Sequence, residues 1–298
     1  MTLELSSTPH TAHDRTCAIG MDLSTLGVEV FDGSSDFGED FPVESCNMAR
    51  LAALAGAGLN DGLAQVLLGP TFRLRSDTHL RESWLDAVQA ATKLAPRLTG
   101  PITAAVVADE YVLSSAIDQV SGTGVGLELH RVRDVAALEP LLERAREANI
   151  DLSIALTGSS AREIDADAVG RLINWVRLRE PDPHIAREIR YQLRDAANVH
   201  QRDLRIVADL FIIISACEAD AQERAELIDT IGADRYAKGA PRVLGTVHDV
   251  ADHIESWLAL SAADAFTLLP GSLPTDLAST VRGVLPELSA REHGGSGK

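Results

Sequence analysis

The chain has 298 residues, with 27 Lys plus Arg against 44 Asp plus Glu, a formal charge of −17, and 45% of its residues are apolar. This is an acidic, globular composition with enough apolar surface for one large domain, and the charge argues against nucleic acid and anionic membrane surfaces, which both need clustered Lys and Arg. Cys17, Cys46 and Cys217 are widely spaced without a CxxC pair, which signals neither a disulfide framework nor a thiolate zinc site.

Residues 1–14 are polar and are expected to be disordered; no basic segment followed by an apolar run stands there, and no stretch approaches the ~18 apolar residues of a membrane span, so the expected location is the cytoplasm. From residue 15 to 290 short apolar runs alternate with helical patterns. Residues 16–23, 63–69, 102–107, 125–131, 152–157, 171–177, 204–215 and 265–269 read as strands. Between them, residues 43–57, 81–98, 135–148, 185–199, 219–231 and 247–260 carry apolar residues at helical spacing; Trp84, Leu85, Val88, Ala91 and Leu94 form one such stripe. Thr246 caps the last of these helices, and a closing helix is expected to end near Pro286. Residues 291–298, with Gly294-Gly295-Ser296-Gly297, are expected to form a flexible tail. Strand–helix alternation implies parallel pairing, and eight such units predict an α/β fold, a single (β/α)8 TIM barrel.

Several residues invite a chemical reading. Gly158-Ser159-Ser160 follows an apolar strand, where free N–H groups and hydroxyls could hold a phosphate; the same residues also make an ordinary capped turn. His130 is expected at the C-terminal mouth of the fourth strand, where barrel active sites are built, as an acid, a base or a hydrogen-bonded rim residue. His248 and His253 are five apart, about 140° around a helix, so they read as surface rather than a metal pair. Glu39-Asp40, Glu218, Asp220 and Glu223 read as solvated loops or helix starts, and Phe211-Ile212-Ile213-Ile214 as barrel core. The spacing Gly122-x-Gly124-x-Gly126 follows no strand and is not a dinucleotide fingerprint. No catalytic residue and no metal site is identified.

The C-terminal run contains Gly245-Thr246, Trp257, Ala263-Asp264-Ala265-Phe266, Leu273-Pro274 and Val284-Leu285-Pro286-Glu287-Leu288. This ordered set resembles the closing segment of the luciferase-like flavin-dependent monooxygenases, in the branch with the nitrilotriacetate and dibenzothiophene sulfone monooxygenases. Leu85-Asp86-Ala87, Ala95-Pro96-Arg97 and Ile117-Asp118-Gln119-Val120-Ser121-Gly122 resemble the same branch upstream. The resemblance implies a barrel that uses reduced FMN, supplied by a separate flavin reductase, and O2 to oxidise a small-molecule substrate, working as a homodimer. It places Gly158, Ser159 and Ser160 at the cofactor phosphate, and Glu128 and His130 on the ring or substrate side. Leu127 and Glu128 stand where the branch usually has Trp-Asn, Ala265 where it usually has glycine, and only about twenty residues separate Arg131 from Asp151 where many members carry a long insertion. Two alternatives stay open: a catalytically inactive paralogue that binds flavin or another subunit, and a deazaflavin-dependent oxidoreductase.

Overall fold

The computed structural model describes residues 17–26, 28–29, 47–75, 84–230 and 237–295. The stretches 1–14 and 296–298, and Glu39-Asp40 and Cys46, lie outside these described residues. Strands β1 (Ala18–Asp22), β2 (Gln65–Leu68), β3 (Ile102–Val107), β4 (Val125–His130), β5 (Leu152–Thr157), β6 (Trp175–Arg179), β7 (Arg205–Ile214) and β8 (Ala265–Pro270) lie side by side in chain order. Every neighbouring pair is parallel, and β8 pairs back onto β1. The sheet therefore closes into the predicted eight-stranded barrel.

Around it stand α1 (Met48–Asn60), α2 (Ala87–Leu94), α3 (Glu110–Val120), α4 (Glu139–Glu147), α5 (Gly158–Glu163), α6 (Ala166–Leu172), α7 (Pro183–Val199), α8 (Glu218–Thr230), α9 (Val247–Ala259), α10 (Thr275–Ser279) and α11 (Leu285–Gly295). One large apolar cluster fills the layer between strands and helices; Leu127, Leu129, Ile154, Leu156, Val176 and Leu178 point into it from the outer faces of β4, β5 and β6. Among the described residues no helix is long and apolar enough to cross a membrane.

Local chemistry explains where the elements differ from the sequence expectation. The predicted strand 171–177 begins too early: Asp165 accepts from Asp167 N and Ala168 N, starts α6, and carries the helix to Leu172, so β6 begins only at Trp175. At Gly170 a Cβ would stand 2.6 Å from the backbone nitrogen of Ala197, so α6 and α7 approach through a position that only glycine leaves open. The predicted helix 81–98 also starts late. Asp86 accepts from Gln89 N at 2.8 Å and caps α2, while Trp84–Asp86 pairs with Phe72–Arg75, and that strand with Val28–Glu29, in a small antiparallel sheet.

An unpredicted strand, Arg242–Gly245, pairs with Phe211–Ile214 on the edge of β7 that β6 occupies only as far as Ala208. The closing helix does not end at Pro286. A π-helical turn at Thr280–Val284 leads into α11, and residues 291–295 continue that helix. Arg291 secures it, donating through Nη1 to Asp252 at 2.6 Å and Glu255 at 2.8 Å and through Nε to Glu287 at 2.8 Å. His253 is half-buried rather than surface: its ring packs 5.7 Å from that of Trp257, and burial lowers its pKa. At the start of α9, Thr246 and Asp249 form a reciprocal capping box. Thr246→Ala is expected to destabilise the protein by about 1 kcal/mol, measured by chemical denaturation; no change would remove the cap's role.

Candidate active site

Barrel interiors are normally filled by bulky branched side chains. Here the middle of the interior is ionic. Arg177 projects inward from β6, is 3% exposed, and is bound by carboxylates from three other strands. Its Nε donates to Asp209 Oδ1 at 2.5 Å, Nη1 to Glu128 Oε1 at 3.1 Å and Nη2 to Asp22 Oδ2 at 2.9 Å. Below it, two residues earlier on their strands, Trp175, Val207 and Ala265 join Leu67 in a small apolar cluster. Burial opposes Arg177's charge, but Asp209, Glu128 and Asp22 outweigh it and hold the guanidinium pKa well above its ordinary value.

The carboxylates are themselves positioned. Asp22 Oδ1 accepts from Ser24 N at 2.9 Å and from the Ser24 hydroxyl, which in turn accepts from Gly69 N at 2.6 Å. Asp209 Oδ2 accepts from Arg179 Nε at 2.8 Å, so one carboxylate bridges both β6 guanidinium groups. Glu128, fully buried, shares Oε1 between Arg177 and His130, whose Nε2 lies 2.6 Å away, while Oε2 is buried without a partner among the described residues. Desolvation pushes the Glu128 carboxyl up, yet Arg177 and the His130 hydrogen bond prevail and hold it near pKa 2.

Toward the C-terminal ends of the strands the interior divides. On the β7–β8 side, Phe211, Ile213 and Leu269 pack with Ala221, Ala225 and Ile228 of α8 and with Ala237 and Ala240. On the opposite side a cavity of about 300 Å³ opens, lined by His130, Arg131, Val132, Ala155, Leu156, Thr157, Ser160, Arg177, Arg179 and Asp209. Arg131 is exposed, has a backbone φ of 57°, and has no ion-pair partner among the described residues. Its guanidinium and the nearby hydroxyls give the rim anion-binding chemistry, whereas the guanidinium groups of the floor are matched by carboxylates.

The Gly158-Ser159-Ser160 turn forms the start of α5. Thr157 Oγ1 accepts from Ser160 N at 3.2 Å, Ser160 Oγ accepts from Thr157 N at 2.9 Å, and the Ser159 and Thr157 hydroxyls lie 2.9 Å apart. Gly158 is crowded by a carboxylate: a Cβ there would stand 1.8 Å from Glu180 Oε2. Glu180 is held by Asp182 N, which donates to Oε1 at 3.0 Å.

The structure thus brings His130 and Ser160 into one cavity, sets Gly158 and Ser159 beside it, and puts Glu128 beneath the floor, behind His130 and Arg177. Asp22, Arg177, Arg179 and Asp209 were not singled out from the sequence. A signal existed: Glu128 and His130, and Arg177 and Arg179, are charged or polar pairs two apart inside apolar runs, which puts both members of each pair on one face of a strand.

No protein-family model matches the chain, and no curated protein matches it. Solved structures do. The EDTA monooxygenase from Chelativorans sp. BNC1 aligns over 93% of this chain and 94% of its own at 14% identity and a TM-score of 0.64. A riboflavin lyase solved with modified FMN and riboflavin aligns over 93% and 92% at 14% identity and 0.66, and an F420-dependent secondary alcohol dehydrogenase over 92% and 99% at 9% identity and 0.60. The chain shares the (β/α)8-barrel fold of these enzymes.

Proposed function

We propose that the chain is an oxidoreductase working with a flavin-type cofactor at the mouth of the barrel, reduced FMN in the first instance, and that it oxidises a small organic molecule with O2 as a monooxygenase. The observation that carries this reading is the cavity itself: in a fold shared with flavin- and F420-linked enzymes, it joins a rim fitted for an anion to a floor that bears an ionisable histidine. Arg131, the hydroxyls of Ser159 and Ser160 and the backbone of Gly158 would hold the phosphate, provided Glu180 turns aside. A bound reduced flavin supplies the electron pair. The chain's own part is to orient cofactor and substrate over His130 and Arg179 and to keep water out, with α8 closing the β7–β8 side. By family resemblance, a separate reductase delivers the flavin and the working form is a homodimer.

A deazaflavin is the second reading, favoured by the end-to-end likeness to the F420-dependent dehydrogenase. Anaerobic titration with reduced FMN, oxidised FMN and a deazaflavin separates the readings. Reduced FMN is expected to bind most tightly, and the Ser159→Ala, Ser160→Ala double variant to bind about fivefold more weakly, the ~1 kcal/mol of a lost hydrogen bond to a charged group. Tighter deazaflavin binding would move the assignment to hydride transfer. No binding of any of the three would overturn it and leave a barrel that has lost its cofactor.

A further inference from the structure

We propose that His130, oriented by Glu128, is the proton acceptor of the cavity, and that the group it meets is an O–H or N–H of a small substrate seated between His130, Thr157 and Arg179. This deepens the oxidoreductase reading and rests on it only for the redox step that follows.

The orientation follows from which groups can donate. A carboxylate accepts hydrogen bonds and cannot give one, and Arg177 keeps Glu128 ionised far below neutral pH. The 2.6 Å contact must therefore be donated by Nε2–H of His130, which in the neutral imidazole leaves the lone pair on Nδ1. Nδ1 has no hydrogen-bond partner among the described residues, and the ring lines the cavity with its side chain 21% exposed. The ring is fixed from beneath by a buried carboxylate and open toward a space that a small molecule can enter.

The surrounding charge suits a base. The groups around the ring are Glu128 on its own strand, Arg177 and Arg179 from β6, Asp209 from β7, and, through Arg177, Asp22 from β1; Arg131 follows it in the chain at the rim. The ion-paired groups alone, three carboxylates against the guanidinium groups of Arg177 and Arg179, carry one negative charge in excess, and the exposed Arg131 at the rim is the further cation that lines the cavity. In the step itself the substrate's O–H or N–H bond breaks, its electron pair stays on the substrate atom, an N–H bond forms at Nδ1, and the proton leaves through the cavity opening.

The test uses the intact protein without cofactor, 15N-labelled in its histidines, with 4-nitrophenol as probe. In the free protein His130 is expected to show a protonated Nε2 and an unprotonated Nδ1. At a pH where the free probe is un-ionised, the bound probe is expected to take on phenolate absorption while the His130 nitrogens move to the imidazolium pattern. His130→Gln should lower the bound phenolate fraction about tenfold, the equivalent of one pKa unit. In Glu128→Gln the carboxamide can donate to Nε2, so the ring proton should move to Nδ1; because that variant removes a partner of Arg177 and could fold poorly, His130→Gln carries the test by itself. A neutral ring that carries its proton on Nδ1 in the free wild type, a probe bound only as neutral phenol, or no saturable binding overturns the proposal. Because no readout involves a flavin, a failed flavin titration and a failed proton-transfer test are distinguishable results.

Discussion

Arg177→Met is expected to destabilise the barrel by at least about 3–5 kcal/mol at neutral pH, the range for removing one partner of a buried ion pair. Here the loss falls on three carboxylates at once. Asp22, Glu128 and Asp209 converge on a single guanidinium inside the barrel, and methionine fills much of the volume while giving none of them a hydrogen bond. Arg177→Lys should recover only part, since an ammonium on a flexible stem cannot present Nε, Nη1 and Nη2 in one plane to three acceptors. The pH dependence separates lost charge from lost packing. In the wild type Glu128 titrates near 2, below its ordinary 4.5, so its contribution is complete above pH 4.5 and is lost as pH falls through 2. In the methionine variant the desolvated Glu128 carboxyl loses the cation that lowers it and takes up a proton at higher pH, so acid should relieve the variant while it weakens the wild type. The gap between the two unfolding curves must therefore narrow from neutral pH toward pH 3. A loss below about 1 kcal/mol, or a gap that does not change with pH, would show that Arg177 is neutralised in another way.

That cluster also shows what a linear reading can and cannot reach. The barrel was legible because each strand–helix unit is a local pattern: a short apolar run, a turn, then apolar residues at helical spacing. His130 and the Gly158-Ser159-Ser160 turn could be placed at strand ends, where a parallel barrel builds its mouth, whereas Glu128 was reached only through the family resemblance. Arg177 was not legible, because its meaning depends on partners at positions 22, 128 and 209 that only closure of the sheet brings within reach. Read singly, each is a charged residue in an apolar strand. The helix boundaries failed for a related reason. Asp86 and Asp165 are short-range caps: Asp86 starts its helix inside the predicted helix 81–98, and Asp165 starts one that runs into the predicted strand 171–177. Phe211-Ile212-Ile213-Ile214, expected as uniform core, divides by parity: Ile212 and Ile214 pack outward against the helices, while Phe211 and Ile213 lie under α8.

Glu180→Gln is expected to tighten FMN by about tenfold and to leave riboflavin unchanged, which is the sharpest available test of where the cofactor phosphate sits. The carboxylate of Glu180 lies against Gly158, at the N-terminal end of α5, where an anion would be favoured by the exposed backbone N–H groups. A phosphate entering that turn meets a negative charge that is already in place. At a separation near 4 Å, such a repulsion is worth about 1–2 kcal/mol between a carboxylate and a phosphate dianion in water-like surroundings, hence the tenfold effect. The amide keeps the size of Glu180 and can still accept from Asp182 N, so the loop geometry that crowds Gly158 should persist while the charge is gone. Riboflavin carries the same ring without the phosphate and serves as the internal control. If the variant tightens both flavins equally, the effect is access to the mouth and the phosphate lies elsewhere; if it tightens neither, Glu180 leaves the turn freely and Arg131 with the hydroxyls of Thr157 and Ser160 decides affinity without opposition.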